Sequence, residues 1–271
     1  MTERHRSEKE GRMTGAVLKN TAYVTMLIDH IFAVLFLNYM KLHTVNGGWD
    51  PRLEPIYRTG RAVGRVSFIL FAFLIVEGFF RTRSRARFSL RLFLFALLSE
   101  IPFDLAFSGR VFDWKSQNVY WTLLLGVLVV TIWEYLSYYR RVWAALGRLL
   151  TVTAACAAAF YGGTDYRFMG VLLILVFYLT RGKEKGFQFV VVAFVMLFGT
   201  WGGYLMRYAG SITAGSLFYF SLREMYGLFA FPLIFLYNGK KGKQFPKPFY
   251  YGFYPVHLLI LYGIARTTGI M

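Results

Sequence analysis

Two adjacent ionisable residues, Asp29 and His30, stand in an apolar stretch that runs from about Ala16 to Leu37. A stretch of roughly 20 apolar residues matches a hydrocarbon core of about 30 Å. An ionisable side chain at that depth costs ~2.5 kcal/mol or more, so it is retained for a task or held by a partner. An imidazole beside a carboxylate is a proton acceptor of raised basicity. Neighbours on a helix point about 100° apart, however, so Asp29 can instead pair with Arg65 or Arg91. Other candidates recur in later apolar stretches. Glu100 and Asp104 are four apart on one helix face, with Pro102 between them to bend it. Asn118 opens the next stretch, and His257 lies behind Tyr254-Pro255. Each of these has a plainer reading. Glu100 or Glu224 can neutralise a buried Arg65 or Arg223, and His257 can be a hydrogen-bonding helix contact. Glu77 and Arg81, four apart, fit an intrahelical pair.

The elements that must position these groups follow from composition. Hydrophobic residues make up 56% of the 271 and aromatics 20%, and apolar stretches of span length recur along almost the whole chain. The expected fold is all-α, a polytopic integral membrane bundle of about nine spans. They are read at about 16–37, 63–80, 88–107, 118–137, 142–161, 167–180, 187–206, 213–237 and 249–265. Residues 1–15 are polar and mixed in charge, unlike a cleaved signal peptide. They are expected to form a disordered cytoplasmic tail before one transmembrane domain over 16–271. The single cysteine, Cys156, excludes an internal disulfide and a cysteine-based metal cluster, and no metal is expected.

The net charge of +17 is mainly a topology signal. Counted on alternate sides of the nine spans, 20 of the 31 Lys and Arg fall with the N-terminus and 10 opposite, Arg223 lying within a span. The positive-inside rule then puts the N-terminus in the cytoplasm of a multi-pass cell-membrane protein. A nucleic-acid partner is not implied. The outer loop at 38–62 carries Lys41, Arg52, Arg58 and Arg61. It reads either as an interfacial loop with Trp49 and Tyr57 at headgroup depth or as a cap over a pocket that favours anions. The run Arg81, Arg83, Arg85, Arg87 reads as an inner-face anchor, and Gly199-x-x-x-Gly203 as a helix-packing signal. No internal repeat is visible, and nine spans do not divide into two equal inverted halves.

Several stretches together resemble the TraX family of integral membrane proteins. They are Leu18-Lys19 through Met26 to Asp29-His30; Gly64-Arg65 with FAFLIVEGFFRT at 71–82; Arg91-Leu92 with SEIPFDL at 99–105; Gln117-Asn118-Val119 with Thr122; YNGKKG at 237–242; and FYPVHLL at 253–259. They run in the family's order over about residues 16 to 264. One departure is Ile69, where the pattern has a proline that would kink the second span. The resemblance implies a membrane acyltransferase, since the founding member is associated with N-terminal acetylation of a conjugative pilin subunit. The family is also similar to membrane acyltransferases with an Arg-x10-His motif, and Lys19-x10-His30 has that spacing with Lys for Arg.

That spacing has a physical sense of its own. Eleven residues of helix rise about 16 Å, half of a hydrocarbon core. A cation at the cytoplasmic edge, Lys19 with help from Arg81 and Arg91, can hold the phosphates of acetyl-CoA. The coenzyme A thioester then reaches His30 at mid-membrane. His30 is expected to act as general base or to carry the acetyl group, with Asp29 beside it. Glu100 or Asp104 can orient His30 or the acceptor, and Arg65 or Asn118 can stabilise the oxyanion. His257 completes the acceptor side. The acceptor is an extracytoplasmic amine or hydroxyl on a peptide, a sugar or a lipid. Two other readings are open: a proton-coupled transporter that uses the same Asp, Glu and His residues as a relay, and a non-catalytic membrane subunit whose charges serve helix packing.

Overall fold

The computed structural model describes residues 12–208 and 214–271, so most of the expected tail lies outside the described residues. The chain is 78% helical, with one two-stranded hairpin among the described residues. It is an all-α multi-pass membrane protein. Helix α1 (Gly15–His30) passes without a break through a π-helical turn (Ile31–Phe36) into α2 (Leu37–Leu42). The hairpin β1 (Thr44–Val45) and β2 (Gly48–Trp49) leads to α3 (Glu54–Arg81), α4 (Arg85–Ser108) and α5 (Val119–Tyr135). Then come α6 (Arg141–Tyr161), α7 (Arg167–Leu179), α8 (Lys185–Tyr208), α9 (Ala214–Met225), α10 (Phe231–Phe235) and α11 (Lys247–Thr267).

Among the described residues, five helices are long and apolar enough to cross a membrane, not nine. They are Gly15–Leu42, Glu54–Arg81, Val119–Tyr138, Arg141–Tyr161 and Lys185–Leu205. The shortfall has local causes. Helix α4 carries Arg85, Arg87, Arg91, Glu100 and Asp104, and α7 has only 13 residues. The stretch expected at 213–237 is broken into α9, a 3₁₀ turn (Tyr226–Ala230) and α10, where Pro232 starts a new helix. The outer loop expected over 38–62 is also mostly helix. Only residues 43–53 lie between α2 and α3, and the hairpin turns on Asn46 and Gly47, both with positive φ. Behind it Asp50 accepts from the backbone and guanidinium of Arg52, which hold its carboxyl below the usual range.

Helix α3 is the hub of the bundle. It packs against α1, α5, α7 and the 226–230 turn, while α11 lies on α4 and on the π turn. Its buried face, Phe68, Ile69, Leu70 and Ala72, joins Leu173, Ile174 and Phe177 of α7 and Phe231 and Ile234 near α10. Ile69 sits inside a helix with no proline after Pro55, so no kink interrupts this core. Gly199 and Gly203 of α8 face Met169 and Phe168 of α7, the close approach their spacing suggests. Helices α1 and α3 meet still more tightly. Gly60 lies under the Phe32 ring, and a Cβ at Gly64 would overlap the Asp29 carboxyl group.

Adding one methyl at that contact should therefore cost about 1–3 kcal/mol of overpacking. Gly64→Ala is expected to lower the thermal unfolding midpoint in detergent. Gly252→Ala in α11, where nothing lies within 4 Å of the new Cβ, is expected to leave the midpoint unchanged or raise it. Equal midpoints for the two variants would show that α1 and α3 do not meet here.

Candidate functional site

His30 is the last residue of α1, at the point where the chain widens into the π turn. His257 comes from the middle of α11, 227 residues later. The two rings are coplanar within 1°, and His30 Nδ1 lies 2.6 Å from His257 Nε2. His257 Nδ1 lies 2.7 Å from the carbonyl oxygen of Phe253. A carbonyl oxygen only accepts, so His257 carries its hydrogen on Nδ1. A neutral imidazole has one hydrogen, which leaves Nε2 of His257 as an acceptor. His30 must then donate from its own Nδ1, and its lone pair is left on Nε2. The chain from Phe253 through His257 to His30 thus fixes a tautomer with one basic nitrogen at the far end. Both histidines are buried, and the edges of Phe107 and Tyr254 enclose His30 at 5.6 and 5.8 Å.

Asp29 does not serve this pair. Its carboxylate turns to α3 and meets Arg61 at 2.7 Å, not Arg65 or Arg91. The angle of about 100° between successive residues is the reason: with Asp29 on α3, His30 faces α11. Arg65 lies 3.4 Å from Glu224 and 3.5 Å from the Tyr166 hydroxyl, and Glu224 also binds Arg223 at 3.0 Å. Glu224 rather than Glu100 is therefore the counter-ion of Arg65. Arg65 reaches neither histidine by a hydrogen bond among the described residues.

Glu100, Asp104 and Asn118 form a separate group between α4 and α5. Asn118 caps α5 by accepting from the Tyr120 N–H at 3.0 Å. Its amide donates to the Ala96 carbonyl at 2.7 Å and to Glu100, so it has no hydrogen left for an oxyanion. Glu100 also accepts from the Trp121 indole at 2.8 Å. Asp104 accepts from the Asp113 N–H at 2.8 Å and so anchors the 109–117 loop. No hydrogen bond among the described residues joins Glu100 or Asp104 to His30.

The three residues expected at the donor end do come together. Lys19, Arg81 and Arg91 line one cavity of about 670 Å³, joined by Lys241. The lip of that cavity is the YNGKKG segment. The N–H groups of Gly15 and Ala16, which a helix start leaves unpaired, donate to the carbonyls of Lys240 and Lys241 at 2.8 and 2.9 Å. Arg81 holds the same segment through the Tyr237 hydroxyl at 2.6 Å and the Gly239 carbonyl at 2.8 Å, while paired with Glu77. Arg91 has a buried Nε without a hydrogen-bond partner. Lys19 lies 3.5 Å over the Tyr250 ring. Beyond this basic mouth the walls turn apolar, with Met26, Leu74 and Leu123, and reach Tyr120 and Tyr254, which meet edge to face at 5.3 Å. Tyr254 is also the ring that touches His30 and His257. Lys241 and Tyr254 carried no chemical role in the sequence reading. Their signals were the two short motifs that contain them, 237–242 and 253–259.

The family model described as TraX protein matches residues 14–265. The chain is 29% identical over 257 residues to a probable fimbrial assembly protein, FimC of serogroup H1, from Dichelobacter nodosus. That match covers 90% of this chain and 92% of the relative. No solved structure matches. The chain belongs to the TraX family.

The hydrogen-bond chain makes a spectroscopic prediction. In protein labelled with ¹⁵N-histidine, the resonances that His30→Ala and His257→Ala remove are expected to show Nδ1 protonated and Nε2 bare at both positions. A bare Nδ1 at His30 would break the chain described here.

Proposed function

We propose that this TraX-family protein is a membrane-embedded acetyltransferase. In this reading it takes an acetyl group from cytoplasmic acetyl-CoA and passes it to an amine or hydroxyl of an extracytoplasmic acceptor. The observation that carries the proposal is the cavity, whose mouth is basic and whose lining includes Tyr254, the ring that touches both histidines. Lys19, Arg81, Arg91 and Lys241 against the single carboxylate of Glu77 suit the phosphates of coenzyme A. The apolar walls suit the pantetheine arm. The rise of about 16 Å from Lys19 to His30 suits a pantetheine arm that brings the thioester to the Tyr254 wall, beside the imidazole.

His30 then acts as general base at Nε2. It removes the proton from the acceptor nucleophile as that atom attacks the thioester carbon. The tetrahedral intermediate collapses, the C–S bond breaks, and the imidazolium returns its proton to the leaving thiolate. His257 holds the tautomer and accepts a stronger hydrogen bond while His30 is charged. The same arrangement lets His30 carry the acetyl group, in which case Nε2 is the attacking atom. The acceptor reading draws on the relative's name. A protein associated with fimbrial assembly points to a secreted, pilin-like polypeptide, and its N-terminal amine is an acceptor of the right chemistry.

The topology proposed with it has the 24-residue α4 also cross, its Glu100 and Asp104 turned into the bundle, and so puts the cavity mouth in the cytoplasm and the 109–117 loop outside. In a protein with Cys156 replaced, Trp114→Cys, at an 86% exposed position, is expected to react with an impermeant thiol reagent from outside the cell membrane. Lys243→Cys is expected to react only from the cytoplasm. The opposite pattern would invert the donor and acceptor sides.

Purified protein is expected to transfer or hydrolyse the label of radioactive acetyl-CoA, and His30→Ala to abolish this without loss of folding. Lys19→Gln and Arg91→Gln are each expected to raise KM for acetyl-CoA about tenfold to thirtyfold, as loss of ~1–2 kcal/mol of phosphate contact should. Their kcat should stay nearly intact, because such a contact is made equally in ground and transition states. Lys19→Arg should recover most of the loss. A normal KM in both Gln variants would remove coenzyme A from this cavity.

A further inference from the structure

An acyl transfer needs a hydrogen-bond donor for the oxygen that becomes negative when the thioester is attacked. Neither group first considered for that role is placed to fill it, and Arg65 does not line the cavity. Asn118 spends both amide hydrogens on Ala96 and Glu100. Arg65 is held by Glu224 and Tyr166 on the α3 side of the bundle. The inner end of the cavity holds a different candidate. The Tyr254 side chain is 2% exposed, and its hydroxyl is buried without a hydrogen-bond partner. A buried phenol normally finds one. The hydroxyl stands beside the backbone N–H of Val119, though not in hydrogen-bond geometry with it. Val119 is the first residue of α5, a 17-residue helix, and its N–H has no backbone acceptor. Val119 and Tyr254 both line the cavity. A buried hydroxyl without a hydrogen-bond partner and the first N–H of a helix thus meet at the cavity wall beside the histidine pair.

We propose that the Tyr254 hydroxyl and the Val119 N–H are the oxyanion site of the acyl-transfer reaction. The assignment rests on the acetyltransferase reading above and names the group that reading lacked. The acceptor's nucleophilic atom bonds to the thioester carbon and gives its proton to His30 Nε2. The carbonyl π electrons move onto oxygen, which accepts from Tyr254 and Val119. When the C=O bond re-forms, the electrons of the C–S bond leave with sulfur, and His30 protonates the thiolate. Tyr254 donates a hydrogen bond and loses no proton. Pro255, which follows Tyr254, has no N–H for the carbonyl of Tyr251, so this turn of α11 lacks one backbone hydrogen bond.

The test is Tyr254→Phe, which removes one oxygen. Wild type, Tyr254→Phe and His30→Ala are compared in detergent for acetyl-CoA turnover and thermal unfolding. Tyr254→Phe is expected to lower kcat by about 10²–10³-fold, with KM for acetyl-CoA within about threefold of wild type. Its unfolding midpoint is expected to be equal or higher, because a hydroxyl with no partner contributes nothing to the fold. Active wild type and inactive His30→Ala beside a near-normal Tyr254→Phe would overturn the oxyanion assignment and leave the acetyltransferase reading standing. A fall in midpoint that accompanies the loss of activity would make Tyr254 a structural residue and overturn the assignment too. If wild type neither transfers nor hydrolyses acetyl-CoA, the acetyltransferase reading fails and the oxyanion site with it.

Discussion

A charge carried through apolar surroundings has to meet an opposite charge, and α3 carries six of them. Glu54 meets Arg58, Arg61 meets Asp29, Arg65 meets Glu224, and Glu77 meets both Arg81 and Arg181. Removing one partner of a buried pair costs about 3–5 kcal/mol, because the other charge is left unsatisfied. Asp29–Arg61 and Arg65–Glu224, largely buried on both sides, therefore act as fixed pegs, while Glu54–Arg58 and the Glu77 pairs lie partly in solvent and hold less. The Asp29–Arg61 peg does most for the site. It sets the rotation of α1 about its own axis, and the next residue, His30, is thereby aimed at α11. The carboxylate beside the histidine contributes to the site by turning away from it.

A second constraint acts at the membrane edge. The first amides of α1 have no partners within their own helix and take the carbonyls of Lys240 and Lys241. This contact brings the basic YNGKKG segment over the mouth of the cavity, where Lys241 joins Lys19. The same cavity is lined by Tyr254, one turn before His257 on α11. The mouth thus draws on α1, the end of α3, the start of α4 and the 237–242 segment, and the far wall on α5 and α11.

The all-α membrane class was legible because apolar stretches of span length leave few other folds. The count was not. Arg91 and Asp104 lower the apolar character of α4, and Pro232 splits the stretch before it can cross. At the site, the donor cations could be read because Lys19 and Arg91 fall near the starts of α1 and α4 and Arg81 at the end of α3, which the alternation of spans puts on one side. The counter-ion of Asp29 could not. Arg61 and Arg65 are one turn apart on the same face of α3, and only the packing of Gly60 and Gly64 against α1 decides between them. The His30–His257 contact joins positions 227 residues apart, and no local pattern encodes it.

That separation has a consequence in time. A ribosome making roughly 5–20 residues per second needs on the order of 10–45 s to pass from His30 to His257. During that interval the first helix has been delivered to the membrane with its imidazole unmatched and its leading amides uncapped. The groups that complete it arrive together, with the final helix. The site is thus assembled last, and a chain released early inserts most of its helices without acquiring the paired histidines.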